Sequence, residues 1–269
     1  VKITGVQLKT LREKTPLVHH ITNWVVTNFT ANVTLALGAS PVMAHALEEV
    51  EDLARTANAL VLNIGTLTLP VVEAMVRAGR AANDVGIPVI LDPVGTGATR
   101  LRTETTARIL REVKVDILRG NLSEIASTAG EEARIRGVDS VAGGIDPSAL
   151  APALARRLGC TVVVTGPVDH ISDGHVLYKV RNGHPLLGRV TGTGCAATAV
   201  VGVFAAVDRD FPLASAAALA FFGLAAERAA VGDPGPGTFA SRLLDELHRL
   251  TPADVEAGAR VDAGEVEKN

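Results

Sequence analysis

Short apolar runs alternate along this chain with longer segments whose apolar residues recur at helical spacing. Residues 59–64 (A-L-V-L-N-I), 88–91 (P-V-I-L), 115–118 and 161–165 (T-V-V-V-T) read as buried strands, with briefer extended segments at 16–21 and 40–44. The intervals carry helical periodicity and predict helices over 3–14, 24–37, 47–56, 69–85, 99–112, 122–129 and 147–158. Pro16 and Gly38 stop the first two of these helices, and Thr22 and Asn23 are N-cap types ahead of the second. Residues 131–146 read as a longer loop.

After residue 166 the rhythm changes. Residues 170–173, 176–180 and 187–190 read as short strands separated by D-G and N-G turns, a hairpin pattern. Two long helices follow, over 195–207 and 213–230, and a G-D-P-G-P-G-T loop leads to a last amphipathic helix ending near Leu250. Residues 1–250 thus read as one domain. From Thr251 the chain is polar and acidic with no hydrophobic period, and residues 251–269 read as a mobile tail.

Strands alternating with helices imply right-handed crossovers and an α/β fold, its mainly parallel sheet covered by helices on both faces. Ligands of such sheets gather at the carboxyl ends of the strands. The polar and glycine-bearing residues fall at those ends: Gly65 and Thr66, Asp92, residues 119–121, Thr165 and Gly166, and residues 191–195. That segregation marks a site.

Composition narrows the class. The 269 residues are 47% hydrophobic and only 3% aromatic, which suits a helix-covered parallel sheet. A net charge of −3 without a basic stripe argues against nucleic acid as a partner. Two cysteines with no close pair argue against a disulfide framework and a zinc site. Charges at Lys2, Lys9, Arg12, Glu13 and Lys14 break up any signal-like start, and no apolar run reaches the ~20 residues of a membrane span. The expectation is a soluble, cytoplasmic protein without a membrane partner.

The most chemically suggestive stretch is V-T-G-T-G-C at 190–195, flowing directly into an Ala-rich helix. Glycines let backbone amides approach a ligand, and the first turn of a helix leaves its N–H groups unpaired, so the stretch suits phosphate. Cys195 sits at its mouth, where a helix N-terminus favours thiolate; a small buried Cys in a tight turn is the plainer alternative. Asp92, at a strand tip before Pro93, can hold Mg²⁺ or serve as a turn residue. Glu124 lies three residues after Asn121, so the pair can form a capping box or face Asp92 through a hydrated metal. Arg119 can fork onto phosphate oxygens or make a surface ion pair. Thr165 and Thr191 offer hydroxyls to phosphate or metal-bound water, or are plain strand threonines. These are the parts of phosphoryl transfer. No G-x-x-x-x-G-K-[ST] occurs, nor G-x-G-x-x-G with a following acidic residue, so neither a P-loop nor a dinucleotide site is expected. A Cys–His hydrolase would need a histidine held against Cys195, and none is placed there by a sequence signature. His19 and His20 do not read as a metal pair, because neighbours on a strand point to opposite faces.

Ten motifs in order carry a family resemblance: V-H-H-I-T-N (18–23), T-A-N-V-T-L-A-L-G-A-S-P-V-M (30–43), I-G-T-L-T (64–68), L-D-P-V-G (91–95), R-G-N-L-S-E-I (119–125), G-V-D-S (137–140), V-T-G-P-V-D (164–169), I-S-D-G (171–174), G-T-G-C (192–195) and G-P-G-T-F (235–239). From Val18 to about Leu250 the chain resembles the hydroxyethylthiazole kinases of the ribokinase-like superfamily, whose fold is a three-layer α/β sandwich. Cys195 is a discriminating mark, since sister families usually place Asp there. The resemblance implies ATP near Arg119, Thr165, Thr191 and Gly194, and Mg²⁺ near Asp92 and Glu124. It implies a thiazole pocket lined by Asn23, Met43 and Gly192 with Gly65 close by, and Cys195 as the catalytic residue that orients or deprotonates the acceptor hydroxyl. The implied reaction transfers the γ-phosphoryl of ATP to 4-methyl-5-(2-hydroxyethyl)thiazole in thiamine biosynthesis or salvage, by a homotrimer whose sites lie between subunits. Same-fold alternatives are an ATP-dependent NAD(P)H-hydrate dehydratase, which would carry Asp at 195 and lack H-H-I-T-N, and a hydroxymethylpyrimidine kinase, whose pattern the 18–43 block does not match. A nucleotide-binding regulator without turnover is opposed by the intact acidic, basic and Cys positions.

Overall fold

The strand-to-helix alternation does build a parallel sheet. The computed structural model of the chain describes residues 2–3, 5–130 and 144–266. Its strands are β1 (Leu17–Ile21), β2 (Ser40–Met43), β3 (Ala59–Asn63), β4 (Val89–Asp92), β5 (Ile117–Asn121), β6 (Thr161–Thr165), β7 (Asp169–Ser172), β8 (Val176–Val180) and β9 (Val261–Glu265). They form a sheet ordered β2-β1-β3-β4-β5-β6-β7-β8-β9. Pairing is parallel from β2 through β6 and antiparallel from β6 through β9.

Two helical layers cover the sheet. The helices are α1 (Val6–Lys14), α2 (Thr27–Leu37), α3 (Val50–Thr56), α4 (Leu69–Val85), α5 (Arg100–Glu112), α6 (Leu122–Ala129), α7 (Pro147–Leu158), α8 (Thr193–Ala205), α9 (Phe211–Ala229), α10 (Pro236–Arg249) and α11 (Pro252–Gly258). Alternate strand residues face opposite layers. Val18, Val61 and Ile90 join the core under α2, α8, α9 and α10, whereas Leu60, Leu62 and Leu91 join the one under α4, α5 and α7. Helix α8 is apolar on every side and almost wholly buried, the pattern of a central helix. Its Phe204 packs on Phe221 of α9 with ring centroids 5.8 Å apart. Among the described residues, α9 is the helix long and apolar enough to cross a membrane, and 78% of it is buried within the fold.

Four sequence expectations need correction. Helix α2 starts at Thr27 with Val26 as N-cap and no side-chain cap, so Thr22 and Asn23 lie ahead of it; the side chain of Asn23 is used elsewhere. Helix α3 starts at Val50 rather than 47, after a turn closed by Glu49 and Val50 amides on the Ala46 carbonyl. The strand expected over 187–190 is a 3-10 turn, Pro185–Arg189, because Pro185 opens it, His184 caps the Leu186 amide, and the Leu187 carbonyl is taken by the Thr193 hydroxyl. The segment after Leu250 is no tail as far as it is described. Thr251 and Asp254 form a capping box that starts α11, and β9 then pairs along the open edge of β8, Tyr178 opposite Ala263. The G-V-D-S motif at 137–140 and most of the 131–146 loop lie outside the described residues.

Candidate active site

The parallel strands end in register, and their last residues meet. Asn63 ends β3 directly beside Asp92, which ends β4, and Asn121 ends β5 beside Thr165 of β6. Asn63 Nδ2 donates to Asp92 Oδ2 at 2.9 Å, while Asn63 Oδ1 accepts from Asn23 Nδ2 and from the Gly65 amide, each at 2.9 Å. Asn23 Nδ2 also lies 3.4 Å from the Cys195 Sγ. One amide side chain thus ties Asn23, Gly65, Asp92 and the neighbourhood of Cys195 together. Arg102 of α5 fixes the loops on either side, donating to the carbonyls of Ile64, Gly65 and Val94.

Asp92 is 1% exposed. Its Oδ2 accepts from Asn63 and from the Thr198 hydroxyl at 2.8 Å, with Arg119 Nη1 at 3.9 Å; among the described residues Oδ1 receives no hydrogen bond. Burial pushes its pKa up to about 6, with Arg119 and Thr198 opposing the rise. A carboxylate so placed gains from a cation. The Glu124 carboxylate is already engaged: Oε1 accepts from the Gly95 amide and Oε2 from the Asn121 amide, and Asn121 Oδ1 accepts from the Glu124 amide in return. The capping box is thus formed, and the charge of Glu124 adds to the upward shift of Asp92. One carboxylate with an open oxygen and a second that is hydrogen-bonded to the backbone suit Mg²⁺, which keeps most of its own waters. Among the described residues no group of three or more His, Cys, Asp or Glu side chains gathers as a full metal cage.

Arg119 is buried and spends its guanidinium inside the protein. Nη2 donates to the Thr165 hydroxyl at 2.8 Å, and Nη1 to the Gly194 carbonyl at 2.8 Å and to Thr198 at 3.4 Å; Nε is buried without a partner among the described residues. It clasps β5, β6 and the first turn of α8 instead of presenting a free fork. That first turn begins at Gly192, whose φ of +88° and lack of Cβ let it pack on α2; a Cβ there would lie 2.5 Å from Val26 Cγ1. With no side-chain cap on α8, its leading amides point out of the helix at the strand ends.

At Cys195 the surroundings favour the neutral thiol. Burial and the charge of Asp92 push the thiol above its ordinary value, more than Asn63, Asn23 and Arg119 hold it down. No described histidine bonds to Cys195. His19 and His20 point to opposite faces of β1, His19 to the Ala44 carbonyl at 2.8 Å and His20 toward Thr34 at 3.4 Å, and burial lowers both, His20 to about 3.

Beyond Arg119 the surface opens into a pocket of about 630 Å³. Arg119, Thr165, Thr193 and Gly194 form its polar end, and Leu187, Leu219 and Phe222 line its apolar part. A volume of that order holds a nucleotide-sized ligand with a polar tail and a flat apolar head. Two expected residues stand apart from this constellation. Thr191 is exposed and does not line the pocket; Met43 ends the edge strand β2, half-buried, opposite His20 of β1.

The comparisons with known proteins agree in direction. Residues 8–253 match the model of the hydroxyethylthiazole kinase family. The hydroxyethylthiazole kinase of Moorella thermoacetica is 55% identical over 93% of this chain and 94% of its own. The chain belongs to the hydroxyethylthiazole kinase family. A solved hydroxyethylthiazole kinase protein from Pyrococcus horikoshii OT3 is 47% identical, with a TM-score of 0.88 over 97% of this chain and 98% of that one. A ribokinase-like superfamily protein from Enterococcus faecalis, 12% identical, shares the fold at a TM-score of 0.63 over 88% and 87% of the two chains. The three-layer ribokinase-like expectation holds.

Within this kinase frame three residues that sequence reasoning passed over have clear positions. Asn63 is the polar residue closing an apolar strand, the same signal that singled out Asp92. Thr198 lies three residues after Cys195, one helical turn along α8, and bonds Asp92. Arg102 has little local signal, since two of its three carbonyl partners, Ile64 and Gly65, lie on a loop 38 and 37 residues away.

Proposed function

We propose that this protein transfers the γ-phosphoryl of ATP to the primary hydroxyl of 4-methyl-5-(2-hydroxyethyl)thiazole. The observation that carries the reading is near-full-length identity to relatives named hydroxyethylthiazole kinase. The nucleotide occupies the pocket beside Arg119, with its base against Leu187, Leu219 and Phe222 and its phosphates toward the uncapped start of α8. The thiazole lies on the far side of Cys195, toward Asn23, Gly65, Gly192 and Met43.

The protein's share of the chemistry is positioning and electrostatics. Asp92 and Glu124 would hold Mg²⁺, which when bound would supply positive charge against the ATP phosphates. Arg119 fixes Thr165 and Gly194 and brings positive charge to the same place. Cys195, a neutral thiol, orients the acceptor hydroxyl with help from the Asn23 amide rather than removing its proton. Phosphoryl transfer is loose, so alignment supplies most of what a base would. No covalent enzyme intermediate is expected. A homotrimer in the cytoplasm is part of the reading: Trp24, Val25 and Leu69 are exposed apolar residues near the acceptor end, and both cysteines are free thiols.

The test is coupled ADP release with ATP and Mg²⁺ over the thiazole alcohol, hydroxymethylpyrimidine and pyridoxal. ADP formation that depends on the thiazole is expected; its absence overturns the reading.

A further inference from the structure

The wall of the large pocket is one continuous piece of chain, Asn182 to Gly188, leaving the end of β8. Its root is held from two directions. Glu227 of α9 accepts the Gly183 amide at 2.8 Å and the Asn182 amide group at 3.3 Å, both on Oε1. Arg260, which precedes β9, forks onto the same carboxylate, Nη2 to Oε1 at 2.6 Å and Nη1 to Oε2 at 3.0 Å. The backbone of this C-terminal segment completes the clasp, since the Arg260 amide donates to Asn182 Oδ1 at 2.7 Å and Asn182 Nδ2 donates to the Gly258 carbonyl at 3.0 Å. Arg260 Nη2 also reaches the Arg181 carbonyl at 2.8 Å. Asn182 is 6% exposed, so this is a built junction rather than a surface contact.

The adjoining wall belongs to the same helix as Glu227. Leu219, Gly223 and Glu227 recur at four-residue spacing and share one face of α9. Leu219 and Gly223 line the pocket, and Gly223 lets the backbone of Asn182 approach so closely that a Cβ would lie 2.5 Å from its carbonyl carbon. The junction of the two walls is therefore held where Glu227 grips Gly183. Arg260 lies past residue 253, where the match to the family model stops.

We propose that Glu227 and Arg260 are positioning residues for the nucleotide, fixing the Asn182–Gly188 wall at the spacing the ligand needs. The claim rests on the reading of this pocket as the nucleotide site. A bidentate Arg–carboxylate pair with one partly buried partner keeps its geometry better than an open surface pair.

Steady-state kinetics with ATP and thiazole varied separately test it. In Arg260→Met the KM for ATP is expected to rise about threefold to tenfold, with kcat at saturating ATP and the KM for thiazole within about twofold of the parent. Arg260→Lys, which keeps the charge, is expected to recover most of the ATP affinity. If Arg260→Met does not yield folded protein, Glu227→Gln gives the same readout, because it retains an acceptor for Gly183. An unchanged KM for ATP alongside a lowered Tm, or an equal loss for both substrates, overturns the proposal. Leu219→Trp in the same assay separates the two claims. If filling the pocket leaves the KM for ATP unchanged, the nucleotide reading itself fails.

Discussion

Asn63 and Asp92 end neighbouring strands in register, and the amide of Asn63 donates to Asp92 while its carbonyl oxygen receives Asn23 and Gly65. The proposed acceptor half of the site and its acidic half are joined through this side chain. Replacing it strips Asp92 of a donor and leaves two donors unpaired. Asn63→Ala is expected to lower kcat by about tenfold to a hundredfold, the range seen when a ligand's supporting hydrogen bond is lost. The effect on the KM for ATP should be smaller, because the pocket beside Arg119 does not include Asn63. Steady-state kinetics checks the split.

Cys195 acts at the acceptor hydroxyl in this scheme. Cys195→Ala should cut kcat by about tenfold to a hundredfold, less than the loss of a true general base, with the KM for ATP nearly unaltered. The thiol itself can be read directly. Its raised pKa predicts that alkylation by iodoacetamide reaches half its plateau rate only above pH 9.0, the thiol's ordinary value. Cys160, pushed to about 12 by burial, contributes little to that profile.

Asp169 supplies a pH dependence of folding. It is buried against the Gly166 amide, which it accepts at 3.0 Å, and burial lifts its pKa from 3.8 to about 6. The folded state therefore binds the proton more tightly than the unfolded chain. That contribution to stability is full below pH 3.8 and is lost as pH rises through about 6. Asp169→Asn keeps an acceptor for Gly166 but has no proton to lose. Between pH 4 and 7 its unfolding free energy should fall less than the parent's, by an amount on the order of 2–3 kcal/mol, measured by urea titration.

Gly192 holds α8 against α2 in a left-handed conformation. Gly192→Ala is expected to cost about 1–3 kcal/mol from backbone strain and the clash with Val26. Because the same turn faces the proposed acceptor pocket, the KM for thiazole should rise with it. Thermal unfolding and kinetics on one preparation check both.

Local pattern carried much of this molecule. Strand ends are legible because polar residues close apolar runs, which places Asp92, Arg119 and Thr165 together at the carboxyl ends of the strands. The capping box at Asn121 and Glu124 was legible for the same reason, being a matter of three-residue spacing. What escaped was non-local. Asn23 looked like a helix cap because nothing in T-N-W reveals a partner forty residues on. The surroundings of the Cys195 thiol are not legible locally, because burial and the Asp92 charge come from tertiary packing. The segment after Leu250 hid its strand because β9 has little hydrophobic alternation; it forms by backbone pairing to a waiting edge.

Among the described residues, the sheet ends at β9 on one side and at β2 on the other. Strand β2 has only four residues and carries Pro41, which has no amide to offer a passing chain. An intruding strand finds few unpaired donors there. Edge-to-edge polymerisation is discouraged at that margin by one imino acid, and growth by sheet extension has little to start from.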